Sequence, residues 1–140
     1  MKQIQMDAER SRVFRNMISA MVEFKSVFQR DVDKSFVAEL YTAEKFGLKI
    51  NSKENEPGFD AIDVTGKRYE IKYRKPTSIL DINNFDFDYI VLVNLDDNYQ
   101  LTGMWLATAN QAKEISSWRE GYRKYQATQT KFKRIAEKVV

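Results

Sequence analysis

Residues 58–75 read GFDAIDVTGKRYEIKYRK and gather the side chains best suited to chemistry. Glu70 and Lys72 stand two apart in a stretch with strand character, so they share one face while Tyr69, Ile71 and Tyr73 share the other. The strand across from them decides what that pair means. A three-residue turn, Val64-Thr65-Gly66, with Gly66 left-handed as the bulge residue, pairs Asp63 with Lys67 and sets Asp60 opposite Glu70. Directly opposed residues lie about 5 Å apart on one face. Two acids placed so repel each other unless a cation stands between them. A divalent ion suits that position, since Mg²⁺ favours one or two carboxylates completed by water and phosphate oxygens. Lys72 would stand beside it. A rival two-residue turn, Thr65-Gly66, pairs Val64 with Lys67, moves Asp63 to the face of Glu70 and turns Asp60 away. The first register is preferred because Gly66 fits the bulge position.

Composition narrows the chemistry further. The 140 residues contain neither Cys nor His. Disulfides, thiolate nucleophiles, serine–histidine triads and histidine zinc sites are therefore excluded. Carboxylates, Lys, Arg, Ser/Thr and Tyr remain. The length suits one domain, and 43% hydrophobic with 31% charged residues is a globular balance. The expectation is a single domain over 1–140. The opening MKQIQMDAERSR has no apolar stretch after its charge, and no run approaches the roughly 18 apolar residues of a membrane span. A cytoplasmic location is the default expectation.

The elements that must position these residues follow from periodicity. Phe14, Met17, Ile18, Met21, Phe24 and Phe28 recur at three and four, widened by Val13, Val22 and Val27, and predict a long helix over 7–30. Its Met and Phe residues are read as core, with a partner-helix or dimer surface as the alternative. Asp33 caps a second helix over 34–46, stopped by Gly47. A strand at 48–52, a polar loop at 53–58 and a hairpin over 59–74 come next. Tyr89–Leu95 (YIVLVNL) reads as a central strand buried on both faces. Asp96-Asp97-Asn98 turns the chain into another strand at 99–107, and helix resumes from Asn110, interrupted near Gly121 and Thr128. The fold class is α/β, a central mixed β-sheet flanked by helices.

Gly58-Phe59-Asp60, nine intervening residues, then Glu70-Ile71-Lys72 resembles the signature of the PD-(D/E)xK nuclease superfamily, which includes restriction endonucleases and Holliday-junction resolvases. A preceding helix carrying Glu39, and YIVLVNLDDN followed by YQLTGMWLAT, extend the likeness over roughly residues 35–110. Phe59 stands where the family name has Pro. The resemblance implies a restriction-endonuclease-like core and metal-dependent endonuclease activity on DNA. Asp60, Glu70 and the Ile71 carbonyl would bind Mg²⁺, for which Mn²⁺ could substitute. Lys72 would orient or deprotonate the attacking water, and Glu39 would hold a second metal or a metal-bound water. The alternative is a binding or recruitment module of the same fold without turnover, and a homodimer or a partner protein fits both.

Charge is uneven along the chain. Residues 67–75 carry five bases and one acid, 81–100 five acids and no base, and 119–138 seven bases and two acids. Arg68, Arg74, Lys75, Arg119, Arg123, Lys124, Lys131 and Lys133 are the candidates for phosphate contact, with the acidic segment expected to face away. Trp118, Tyr122, Tyr125 and Phe132 are read as core packing among them.

Overall fold

A computed structural model describes residues 3–29, 32–51 and 59–140. The polar loop 53–58, with Gly58 of the motif, lies outside the described residues. Two helices come early. Helix α1 (Ala8–Phe28) is capped by the Asp7 carboxylate, which accepts from the Arg10 N–H. Helix α2 (Lys34–Phe46) starts at Asp33, which accepts from the Ser35 N–H, and ends at Gly47 with φ +66°.

The main sheet has seven strands in the order β1 (Gln3–Gln5), β2 (Lys49–Asn51), β3 (Ala61–Ile62), β4 (Arg68–Tyr73), β6 (Tyr89–Leu95), β7 (Leu101–Thr108) and β10 (Glu137–Lys138). All neighbours are antiparallel except β4 and β6, so the sheet is mixed. A second sheet orders β5 (Ile79–Ile82), β9 (Lys124–Thr128) and β8 (Ser117–Arg119). Short helices α3 (Ala109–Ile115) and α4 (Gln129–Ile135) complete the chain. Among the described residues no helix is long and apolar enough to cross a membrane.

The main sheet is covered on both sides. One core joins Phe14, Ile18 and Met21 of α1, Val37, Ala38 and Tyr41 of α2, and Ala61, Tyr69, Ile71, Val91 and Val93 from the strands. The other joins Leu80, Ile82, Phe87, Ile90, Leu92, Ala107, Ala112 and Phe132. Strand β6 supplies both, which is why its sequence is an unbroken apolar run.

Three expectations need correction. Residues 116–128 form the β8–β9 hairpin and not helix. Trp118 lies opposite Tyr125, their rings 5.0 Å apart, and the chain turns over Glu120–Arg123 with Arg123 at φ +50°. The spacing fitted a helix because Trp118 and Tyr125 stand seven apart, two helical turns as well as a cross-strand pair around a short turn. Phe132 is core as expected, but Trp118 and Tyr122 are exposed. In α1, Phe14, Ile18 and Met21 are buried while Val13, Phe24, Val27 and Phe28 are exposed, because sheet and α2 cover only one side of the helix.

The turn before β4 takes the three-residue form. Gly66 has φ +87°, the Asp63 N–H donates to the Lys67 carbonyl at 3.0 Å, and Ala61 pairs with Tyr69. A Cβ on Gly66 would meet nothing within 4 Å, so only the backbone conformation disfavours a side chain there. Gly66→Ala is accordingly expected to lower unfolding free energy by about 1–2 kcal/mol. Urea denaturation measures this, and an unchanged midpoint would mean the turn does not need its positive φ.

Candidate active site

Strands β3 and β4 pair Ala61 with Tyr69, and Asp60 follows just past the end of that pairing. Between β2 and β3 the pairing is Ile50 with Ala61, so Asn51 falls beside Asp60, its N–H donating to the Asp60 carbonyl at 3.2 Å. Tyr69 and Ile71 point into the core under α2, which turns Glu70 and Lys72 to the opposite face. Glu70 and Lys72 share that face by strand alternation, and Asp60 adjoins them from the end of β3.

Asp60 leaves the ladder at the end of β3. Its N–H donates to the Tyr69 carbonyl at 3.0 Å, and its Oδ2 accepts from the Ile71 N–H at 2.7 Å. That bond shows that Ile71 presents its backbone polar groups to the β3 side, so its carbonyl points the same way as its N–H. The Asp60 carboxyl lies close enough to Glu70 to act on its titration. Burial pushes Glu70 up to about 8, the hydrogen bond with Asp60 and the Asp60 charge add to it, Lys72 opposes, and Glu39 adds a smaller push upward. Glu70 therefore keeps its proton at neutral pH.

Glu39 is half-buried on α2, close enough for Glu70 to feel its charge. It does not complete a coordinating group: among the described residues no cluster of three or more Asp, Glu, His or Cys side chains is arranged to hold a metal. The oxygen donors that the backbone brings together are the two carboxyls and the Ile71 carbonyl. They fit a hard divalent ion that keeps several waters. A second feature fits as well. Asn51 donates its side-chain N–H to the Phe59 carbonyl at 2.7 Å, but its Oδ1 is buried with no hydrogen-bond partner among the described residues. An unsatisfied acceptor beside two acids suits an ordered water or a metal-bound one. Sequence reasoning missed Asn51, since only the β2–β3 register puts it in the row of Asp60.

The phosphate-contact candidates divide. Arg74 is engaged internally, Nη1 donating to the Tyr73 carbonyl at 2.7 Å, Nε to the Ile79 carbonyl at 3.2 Å, and Nη2 lying 3.8 Å from Asp81. Lys133 donates to Asn94 Oδ1 at 2.8 Å with its ammonium 4.2 Å from the Trp105 ring centre, and burial holds it below the ordinary lysine range. Arg68 is exposed but neighbours Asp88. Lys75, Arg119, Arg123 and Lys131 are exposed and Lys124 is half-buried. The acidic segment does not stand apart as expected. Asp81 lies beside β9, accepting from Gln126 at 2.9 Å, and Asp88 brackets Arg68.

No protein-family model and no curated protein matches the chain.

The proton on Glu70 has a thermodynamic consequence. The folded chain keeps a proton on Glu70 that the unfolded chain releases between its ordinary value of 4.5 and about 8. Without divalent ions, stability should therefore fall as pH rises through that window and level off above it. No His titrates there, because the chain has none. Asp63 does not interfere. Burial raises it, but hydrogen bonds from Thr65, Lys67 and Tyr69 outweigh that and hold it low, so its contribution is lost only in acid. Denaturant titrations across pH 4–9 should show the slope in wild type and lose it in Glu70→Gln. Equal slopes would mean that the two carboxyls do not meet.

Proposed function

We propose that this chain is a metal-dependent phosphodiesterase acting on DNA, built on a restriction-endonuclease-like core. The observation that carries the reading is the apposition of Asp60 and Glu70 across the β3–β4 hairpin, with Lys72 on the same face. The order α2, then the antiparallel run β2–β3–β4, then β6 parallel to β4 supports the core assignment.

The roles follow from chemistry that phosphodiester cleavage demands. Asp60, Glu70 and the Ile71 carbonyl would hold Mg²⁺ or Mn²⁺, which when bound supplies charge neutralisation at the phosphate and an acidified water. The two carboxylates then serve as fully ionised ligands, which the cation stabilises against their mutual repulsion. Lys72 sits one residue beyond the Ile71 carbonyl and offers its ammonium to the water or to charge building on the phosphate. Asn51 Oδ1 accepts a hydrogen from water in the row of Asp60. Glu39 acts through its charge, favouring retention of a cation near Glu70. Arg68, Lys75, Arg119, Arg123, Lys124 and Lys131 provide cations for the backbone of the nucleic acid, without sequence information.

One observation favours a second reading, a binding module of the same fold. The Asp60 carboxylate already satisfies the Ile71 N–H. That bond alone would justify an acid at position 60.

The two readings part on cleavage. Incubation with duplex, branched and single-stranded DNA plus Mn²⁺ or Mg²⁺ should give cleavage that Lys72→Ala, Asp60→Asn and Glu70→Gln each reduce by about a hundredfold or more. DNA binding should survive, and tighten in the two carboxylate variants without metal, because they remove negative charge facing the phosphate. Wild-type protein that binds but cuts none of these substrates would favour the binding module. Undiminished cleavage in all three variants would place the chemistry elsewhere.

A further inference from the structure

Helix α1 carries two apolar stripes, and the fold buries one and touches the other only through Met17. Phe14, Ile18 and Met21 face the core. About a quarter-turn away, Val13, Met17, Ala20, Phe24 and Val27 follow one another at spacings of four, three, four and three. That is the heptad spacing of a helix–helix seam. Val13, Phe24 and Val27 keep 53%, 42% and 68% of their surface exposed, and Phe28 beside them 61%. On another face of the helix Lys25 donates to the Asp97 carbonyl at 3.0 Å.

The two ends of the stripe are complementary. At the N-terminal end, Val13 and Met17 border a mainly apolar groove of about 430 Å³, lined also by Ile4, Met6, Phe36 and Leu40, with Glu9 and Arg10 among its lining residues. At the C-terminal end, Phe24 and Phe28 stack at 4.7 Å and project as one knob. A surface with a groove at one end and a matching knob at the other fits its own reverse, the condition for an isologous two-fold contact. We propose that two copies of this chain pair through antiparallel α1 helices, the Phe24–Phe28 knob of each seated in the groove of the other. The two-fold axis crosses the helix between Met17 and Ala20, where the small side chain lets the helices approach. A parallel pair would set groove against groove and fill neither.

The area agrees. With roughly 200 Å² for a fully exposed aromatic side chain, the exposed parts of Phe24, Phe28 and Phe36, together with the valines, come to roughly 450 Å² of apolar surface. That approaches the apolar share, about two thirds, of an ordinary interface of about 800 Å² per partner. Glu9, Arg12, Asn16 and Glu23 lie on the polar flank of the stripe as its rim. None of this rests on the nuclease reading.

Sedimentation of the full chain should show a concentration-dependent dimer. Ala20→Arg and, separately, Val27→Glu should weaken it at least tenfold, with folding monitored by circular dichroism; both positions are exposed, so two independent variants protect against a misfolded one. The absence of native Cys allows a second readout. A mixture of Val13→Cys and Phe24→Cys chains should form the mixed disulfide under mild oxidation, in excess of either self-linked product. A monomer at every concentration, a dimer indifferent to both substitutions, or self-linked Phe24→Cys as the main product would each overturn the proposal.

Discussion

One carboxylate sets the geometry of the β3–β4 hairpin. Asp63 Oδ1 accepts from the Thr65 N–H at 2.8 Å, the Thr65 hydroxyl at 2.7 Å and the Lys67 N–H at 3.0 Å, while Oδ2 accepts from the Tyr69 hydroxyl at 3.3 Å. These bonds close a loop of three residues and no other length, and Gly66 provides the positive φ that loop demands. The alternation of side chains leaves no slack. A slip of one residue would send Glu70 and Lys72 under α2 and expose Tyr69 and Ile71. The core therefore enforces what the turn proposes, and the approach of Asp60 to Glu70 is a by-product that the fold tolerates by keeping a proton on Glu70. A polar contact maintained against repulsion, on a face that packing did not need to make acidic, is the kind of local conflict that marks functional sites.

The far end of the same face is held by a different device. Asn94 and Gln129 are buried, yet every nearby carbonyl finds them. Asn94 donates to the Arg74 carbonyl at 2.7 Å and to Gln129 Oε1 at 3.2 Å; Gln129 donates to the carbonyls of Lys75 and Ser78; Lys133 donates to Asn94. This network replaces a ladder. It ties the chain leaving β4 to β6 and α4, at the point where residues 74–78 turn away from the sheet. Its members satisfy one another, so the loss of any one leaves buried groups without partners. The consequence for the site is indirect but mechanical. Strand β4 is fixed by the turn at its start and by this network just past its end, with Glu70 and Lys72 between.

Much of this was legible in residues that act locally. Asp33 and Gly47 bound α2, Gly66 selects the turn, and the unbroken YIVLVNL run can be buried only on both faces. What could not be read depends on partners distant in sequence. Ile79–Ile82 is short and becomes a strand only because β9 arrives beside it. Trp118 and Tyr125 suit a helix or a hairpin equally until the Glu120–Arg123 turn decides. The apolar positions of α1 announced a helix correctly, but its exposed half could not be told from its buried half, since each stripe has the same periodicity. Asn51 carries no signal by itself, and its position beside Asp60 comes from two strand pairings acting together.

Charge shows the same limit most plainly. In sequence, bases and acids lie in blocks, which suggests one polyanion-facing side. In space, Arg68 meets Asp88 and Arg74 meets Asp81, so two of the bases near the Glu70–Lys72 strand are offset by acids from the opposing block. With a Debye length of about 8–10 Å in ordinary buffers, attraction for a polyanion is decided by charges within a few residues of contact and not by block totals. Lys133 is withdrawn as well, into the Asn94 network. Among the described residues, the exposed cations of the two basic segments that face no acid include Lys75, Arg119, Arg123, Lys131 and Arg134, which stand on the loop after β4, the β8–β9 hairpin and α4. These elements cover the sheet face that carries Glu70 and Lys72. A nucleic acid held there would gain few phosphate contacts from each chain, so either its affinity is modest or a second copy supplies the rest.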